Sequence, residues 1–339
     1  MIINQKFIAQ EAGVSQKTVS IYFQERSRIA SKTRERIDAV VRRHNYFPNA
    51  AARSIKSNRF NRIACVVVQY GKRDTVTHPH LMAYINGASM ELAQHGYSLV
   101  VEPVFVDMTT FEVDYPEFFS MRAADGIIGI PGSWIPPEID SRIADLELPA
   151  VWLNRQTDDP NLNSIYFDEK AGAEKLANYL LENGMRNIGW FGPEYMQDKA
   201  VHYSSQVRCE TLKQIFEAAG GRFEPFFSRT VDTLQERSLP LVSRLPELDA
   251  AVCYNFTYRE AVVWNAIRAG FDLRRIPISY FASAWEFNPR NYDFTDLVLM
   301  PEAELGRRGA EFILNTLRGE EAQHLLSPLE GKLHTAGNQ

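Results

Sequence analysis

Cysteine is scarce in this chain of 339 residues: Cys65, Cys209 and Cys253 are odd in number and far apart. Each lies in or beside an apolar run and reads as a buried free thiol, which excludes a disulfide framework. There is no CxxC pair and no HExxH, so the common zinc patterns are missing and no metal or cofactor is expected. No nucleophile–base motif or phosphate-cradling glycine loop appears either, and the chain is not expected to be an enzyme. The stretch "THPH" (77–80) suits loop packing or ligand contact better than a metal, because a proline separates its histidines. No apolar run approaches the ~18–20 residues needed to cross a bilayer. The opening "MIINQKFIAQEAGVS" lacks the basic start, long apolar middle and small-residue cleavage site of a secretory signal. A cytoplasmic protein without a membrane partner is expected.

What the chain has is an uneven charge. The net −5 conceals a basic head: residues 1–62 carry 13 Lys and Arg against 4 Asp and Glu, and the remainder is strongly acidic. A basic module on an acidic body is the electrostatic footprint of polyanion binding. The length exceeds what one hydrophobic core usually covers, so several domains are expected.

Residues 1–45 read as three short helices. The first runs over about 5–12, with Asn4 as its cap, and Gly13 supplies the left-handed residue that ends it. Ser15 caps a second helix over about 16–23, and Ser31 caps a third over about 32–44. Ile8, Ala12, Val14, Val19 and either Tyr22 or Phe23 complete a small core with the stripe Ile37, Val40 and Val41. "NYFPN" breaks the third helix. "NAAARSIKSNRFNR" (49–62) then offers about two helical turns, too few to be stable without a partner.

From residue 62 the pattern alternates between buried strands and amphipathic helices. "IACVVV", "YSLVVEPV", "DGIIGIP" and "PAVWLN" are strands of one series, with helices over 80–96, 111–124 and 136–147 between them. "NIGWFG", "FEPFFS", "AAVCYN" and "ISYFA" make a second series, with helices over 169–184, 205–219, 232–244 and 258–270. Such alternation implies parallel sheets with helices on both faces, and two series imply two α/β lobes. Ligands of open α/β sheets bind beyond the carboxyl ends of the strands, so facing lobes would hold a ligand between them.

The motifs "IAQEAGVSQKTVS", "SKTRERIDAVVRRHNYFPNAAARSIKS", "ADGIIGIP", "AGAEKLANYLLENGMRNIGWFGP" and "RCETLKQIFEAAG" carry a resemblance. Over nearly its whole length the chain resembles the lactose-repressor (LacI/GalR) family of bacterial transcription regulators. The resemblance implies a helix-turn-helix domain (1–47), a hinge helix and linker (48–61), and a type I periplasmic-binding-protein-like sensor (62–339). Its N-terminal lobe would span about 62–162 and 290–319, and its C-terminal lobe about 163–289 and 320–339. It further implies a nucleoid-associated homodimer, a repressor on a palindromic operator, switched by a carbohydrate or derivative. No leucine heptad follows residue 320, so no tetramerising tail is expected.

Within that resemblance Gln16 and Lys17 face base edges, with Ser20 and Ile21 a turn further on. Ser15 caps and reaches phosphate; Thr18 either reaches phosphate or packs. Gln24 and Arg28 follow in the family's backbone-contacting region, and Thr33 and Arg34 open the third helix as phosphate candidates. Ile21 stands where relatives often carry Arg, so it either meets a thymine methyl or lies off the DNA. In the hinge, Ile55 takes the position of a wedging leucine, with Asn49, Ala52 and Arg53 beside it. For the effector, Arg208 matches an arginine that bonds ligand oxygens. Tyr70, His80, Asn154, Tyr254, Asn255 and Trp285 are the remaining candidates. The aspartates that often follow the "ISYFA" strand in relatives are replaced by Ala284 and Trp285, which leaves a glycoside, an oligosaccharide or a more anionic ligand open. A periplasmic-type binding protein is the alternative reading, opposed by the basic head and the missing signal.

Overall fold

Short polar side chains start the first two helices of a computed structural model that describes residues 3–47, 59–70, 81–107, 109–121, 123–132, 134–195, 201–229, 233–283 and 296–335. The chain divides into two units, Met1–Phe60 and Asn61–Gln339. In the first, α1 (Gln5–Glu11) begins where the Asn4 side chain accepts the Phe7 amide, and α2 (Gln16–Gln24) where Ser15 Oγ accepts the Thr18 amide at 3.0 Å. Between them Gly13 takes φ +62, which a Cβ would strain. The third helix, α3 (Ser31–Arg43), corrects the expected cap: Ala30 holds the cap position with no side-chain bond, and Ser31 is already helical. Buried Ile29, which the pattern reading missed, anchors the preceding loop, and the Ala30 carbonyl accepts the Thr33 and Arg34 amides directly. The core of this unit is Ile8, Ala9, Ala12, Val19, Tyr22, Ile29, Ile37 and Val40. Tyr22 rather than Phe23 takes the core place, and Val14 is only partly buried.

The second unit holds two six-stranded sheets. The first lobe is built from β1 (Arg62–Tyr70), α4 (Leu81–Gln94), β2 (Ser98–Val106), β3 (Val113–Asp114), β4 (Gly126–Ile130), α5 (Pro137–Asp145), β5 (Ala150–Leu153) and β6 (Ser164–Ile165), in the order β3-β2-β1-β4-β5-β6. The second contains α6 (Glu169–Glu182), β7 (Asn187–Pro193), α7 (Tyr203–Ala218), β8 (Arg222–Ser228), α8 (Leu234–Arg244), β9 (Ala250–Cys253), α9 (Phe256–Arg268), β10 (Ile278–Ala282), β11 (Leu297–Leu299) and β12 (Lys332–His334). Its order is β12-β11-β10-β9-β7-β8. All pairings are parallel except at the edge strands β3 and β12. The central strands β1, β4, β9 and β10 are buried almost throughout, which is why they read as continuous apolar runs rather than as alternations.

Two expectations are corrected. Residues 111–124, expected to be helical, form edge strand β3 and a single 3-10 turn over Glu117–Phe119. Asp107 Oδ1 accepts the Thr109 and Thr110 amides, so the chain folds back on β2, and Pro116 stops a helix from propagating. The lobe boundaries also move. β6 still pairs with β5, and β11 pairs with β10, so residues 164–165 belong to the first lobe and 297–299 to the second. The chain crosses after each of these strands, and α10 (Glu302–Arg318) returns to pack on α4.

That helix pair is close because two glycines face it. A Cβ on Gly87 would lie 1.9 Å from the Ala303 carbonyl oxygen, and one on Gly306 2.1 Å from that of Tyr84. Backbone cannot yield as a side chain can. Gly306→Ala should therefore cost at least the ~1–3 kcal/mol typical of overpacking, read as a lower urea midpoint with an unchanged m-value.

Candidate nucleic-acid interface and inter-lobe cleft

On the helical unit, α2 carries exposed Gln16 and Lys17 at its start, with Ser15 exposed and Thr18, Ser20 and Ile21 half-buried. Ser15 Oγ also meets Thr18 Oγ1 at 2.8 Å, so cap and threonine hold each other. Ile21 packs against the edge of the core. Arg28 is exposed and pairs with Glu25 at 2.8 Å, whereas half-buried Arg34 donates to the Ile29 carbonyl at 3.2 Å. Thr33 is half-buried beside it. The side chain of Gln24 and the hinge positions Asn49, Ala52, Arg53 and Ile55 lie outside the described residues.

What fixes α2 against α3 is polar. The Tyr22 hydroxyl and the Arg26 guanidinium both bond Asp38. Desolvation pushes the Asp38 carboxyl up, but the hydrogen bonds from Tyr22 and Arg26 outweigh it and leave the group below its ordinary range.

In the second unit, β1, β5, β9 and β10 end at Tyr70, Leu153, Cys253 and Ala282. Asn154 follows β5 in a left-handed conformation, φ +55, which turns the chain away from the sheet. Its carbonyl meets His202 Nε2 from the other lobe at 3.1 Å. A carbonyl can only accept, so Nε2 carries the proton and Nδ1 receives the Ser204 amide and hydroxyl. Ser204 Oγ continues to the Tyr254 hydroxyl at 2.8 Å. A polar chain thus joins the end of β5 in one lobe to the end of β9 in the other.

Arg208, on α7, lies behind Tyr254 and is 3% exposed. Its Nε donates to Glu169 Oε2 at 2.6 Å, one terminal nitrogen to the Tyr254 carbonyl at 2.9 Å, and the other to Met300 Sδ at 3.0 Å. Burial pushes the Glu169 carboxyl up, against the pull of Arg208. Glu302, at the start of α10, is equally buried and receives the Ser283 hydroxyl. Asn255 caps α9, accepting the Tyr258 amide at 3.2 Å. Tyr70 is half-buried at the end of β1, over Gly132. Of the expected cleft residues, Asn154, Arg208, Tyr254 and Asn255 are thus tied to one crossover region, and Tyr70 ends a neighbouring strand. His80 and Trp285, with Ala284, lie outside the described residues. Glu169, His202, Tyr203 and Ser204 were missed. Their only sequence signal was position, since each opens or precedes a helix that follows a crossover or strand.

A separate groove of about 630 Å³ runs between α8 and α9, lined by Gln235, Leu239, Trp264 and Arg268 among others. It lies at the end of α9 remote from the β9 carboxyl end, so it is not the inter-lobe cleft. Among the described residues no cluster of three or more His, Cys, Asp or Glu is arranged to hold a metal, and no helix is long and apolar enough to cross a membrane.

A helix-turn-helix unit joined to a two-lobed α/β unit defines a DNA-binding regulator with a sensor body. Residues 6–49 match the family model described as bacterial regulatory proteins, lacI family. Catabolite control protein A of Staphylococcus epidermidis is 23% identical over 94% of this chain and 93% of its own length. The fold superposes on a lac repressor dimer bound to operator and the anti-inducer ONPF (TM-score 0.72, 16% identity, 99% and 98% of the two chains). It also superposes on the transcriptional regulator CelR in complex with cellobiose (TM-score 0.63, 18% identity, 98% and 99%). The chain thus carries the DNA-binding segment of the lacI family of bacterial regulatory proteins and is similar along its length to regulators of that kind. It is a DNA-binding transcriptional regulator and not an enzyme.

A carboxyl held low by folding stabilises the native state above its unfolded pKa, and that contribution is lost as pH falls through the folded value. The helical unit should therefore lose stability on acidification. Asp38→Asn should remove on the order of 1 kcal/mol at neutral pH and flatten that acid dependence, read as amide exchange across residues 5–43 of the full chain.

Proposed function

We propose that the chain is a homodimeric repressor of a near-palindromic operator, switched by a small carbohydrate or derivative held between the lobes, and that it works in the cytoplasm on the nucleoid. The observation that carries this reading is the start of α2. A cap, two exposed polar probes and a basic surround stand together at Ser15, Gln16 and Lys17. The amino end of a helix suits phosphate, and Gln and Lys suit adenine and guanine edges. Ser20 and Ile21 follow along the groove. Ile21 keeps part of its surface in the core, so it offers at most an apolar edge to a thymine methyl. Thr18, Gln24, Arg28, Thr33 and Arg34 position the backbone, and Asn49, Ala52, Arg53 and Ile55 supply the hinge.

A helix-turn-helix reads one half-site, so a palindrome needs two copies. The lac repressor structure similar to this chain is a dimer on operator. Leu239, Trp264 and Ile267 on the second lobe and Met82 and Met90 on α4 are exposed apolar side chains that a second copy would cover. For the effector, the similar CelR structure holds cellobiose. Tyr70, Asn154, Tyr254 and Asn255, with Arg208 behind them, and His80 and Trp285 would enclose the ligand. The polar chain through His202 gives the ligand something to bias, because an effector shifts an equilibrium only by its differential affinity for two states.

The test is a salt titration on a duplex selected from a random pool. If about six phosphates are neutralised, log K should fall with log salt at a slope of about −5; a flat response refutes the reading. Lys17→Ala should cost ~1–3 kcal/mol on the selected duplex and relax one position of its sequence. Sedimentation should find a dimer of the 38.7 kDa chain, and Trp264→Asp should shift it toward monomer. A wild-type monomer at micromolar concentration would contradict the dimeric reading.

A further inference from the structure

The guanidinium of Arg208 is fully engaged by the protein itself. All three nitrogens have partners, and its faces lie against the rings of Phe281 (4.1 Å) and Tyr254 (5.0 Å). The Glu169 and Arg208 side chains are 2% and 3% exposed. What the same region leaves unmet are acceptors. Glu169 Oε1 and Asn154 Oδ1 are buried without a hydrogen-bond partner among the described residues, and so is the Tyr203 hydroxyl, which can act either way. Tyr203 lies within electrostatic reach of both Glu169 and Arg208, and it stacks on His202, which bonds the Asn154 carbonyl. The unmet atoms therefore belong to one neighbourhood. Glu302 adds a second buried carboxylate there, since it and Glu169 both act on Tyr84.

We propose that Glu169 is an internal anion occupying the place on Arg208 that a ligand oxyanion would take, and that the cleft floor receives a non-anionic hydrogen-bond donor, a hydroxyl or ammonium group, on Glu169 Oε1 and Asn154 Oδ1. Buried acceptors without partners are costly, and a donor group relieves them. A ligand carboxylate or phosphate would instead meet a carboxylate whose partner, Arg208, is already spent. At about 4 Å and an effective dielectric near 20, that repulsion is worth on the order of a thousandfold in affinity. Of the ligand classes open from the sequence, the more anionic one is thereby disfavoured. This inference rests on the effector reading above and narrows it.

Two experiments on the full chain separate the inference from that reading. The first uses acetate and formate, with sodium chloride as the ionic-strength control, and measures Tm. The wild type should show no saturable shift. Glu169→Ala should be saturably stabilised, because a small carboxylate restores the partner of Arg208, and Glu169→Ala with Arg208→Ala should lose that response. Glu169→Gln serves if the alanine variant does not fold. Saturable stabilisation of the wild type, or a folded Glu169 variant that ignores both anions, overturns the inference; if no variant folds, the wild-type arm decides. The second experiment screens the wild type against neutral, amino and acidic derivatives of the same hexoses and disaccharides. A shift with a neutral or amino member supports the donor assignment, and a shift with an acidic member but not its neutral parent overturns it. Silence across the panel counts against the carbohydrate reading, while the acetate result still decides the role of Glu169.

Discussion

The sensor body is organised around one buried cation. Arg208 reaches from α7 to the first residue of α6, to the end of β9 and to the residue after β11. Two of these, Glu169 and Met300, lie where the chain passes between lobes. A guanidinium out of water is tolerated only with its donors satisfied, and removing one partner of such a pair typically costs ~3–5 kcal/mol. The pair therefore ties the relative placement of the crossovers to a single geometry. The third crossover is laid alongside the first, since the Leu329 amide donates to Tyr166 and the Asp168 amide to the Leu329 carbonyl. Beside this pin, the polar chain through His202 and Ser204 makes a second connection between the lobes.

The helical unit solves a different problem. Its core of a few small and branched side chains is too slight to leave much surplus stability. Helix caps at Asn4 and Ser15 and the Tyr22–Asp38–Arg26 bonds supply part of what burial does not. The same economy sets the cap beside exposed polar side chains: Ser15 starts the helix whose first exposed side chains are Gln16 and Lys17. Ile21 packs on the edge of this small core.

Much of this was legible in the residues. Periodic apolar runs marked most strands and helices of both lobes, because buried parallel strands and amphipathic helices differ in period and length. The failures share a cause. Residues 111–124 held apolar and helix-forming side chains, but an Asp107 turn and Pro116 made them an edge hairpin. The short strands β6, β11 and β12 carry only two or three residues each, too few for any period to register, and they decided where the lobes begin. In the cleft, Tyr70, Asn154, Tyr254 and Asn255 were named only through the family resemblance, and the structure places all four at or just after strand ends. Nothing local marked Glu169 as buried, since a glutamate at a helix start is ordinarily a solvated complement to the helix dipole.

The sequence by itself determined the division of labour: a basic, capped helical head and an acidic body of alternating strands and helices. These follow from charge, capping and periodicity, which act over a few residues. Tertiary structure alone decided which arginine is spent and which acceptors are left. Glu169 and Arg208 are separated by 39 residues, and Asn154 and His202 by 48. The first pair exists only once α6 and α7 have packed in the second lobe, and the second only once the two lobes meet, because desolvation and hydrogen-bond geometry are set by what surrounds a side chain, not by what precedes it.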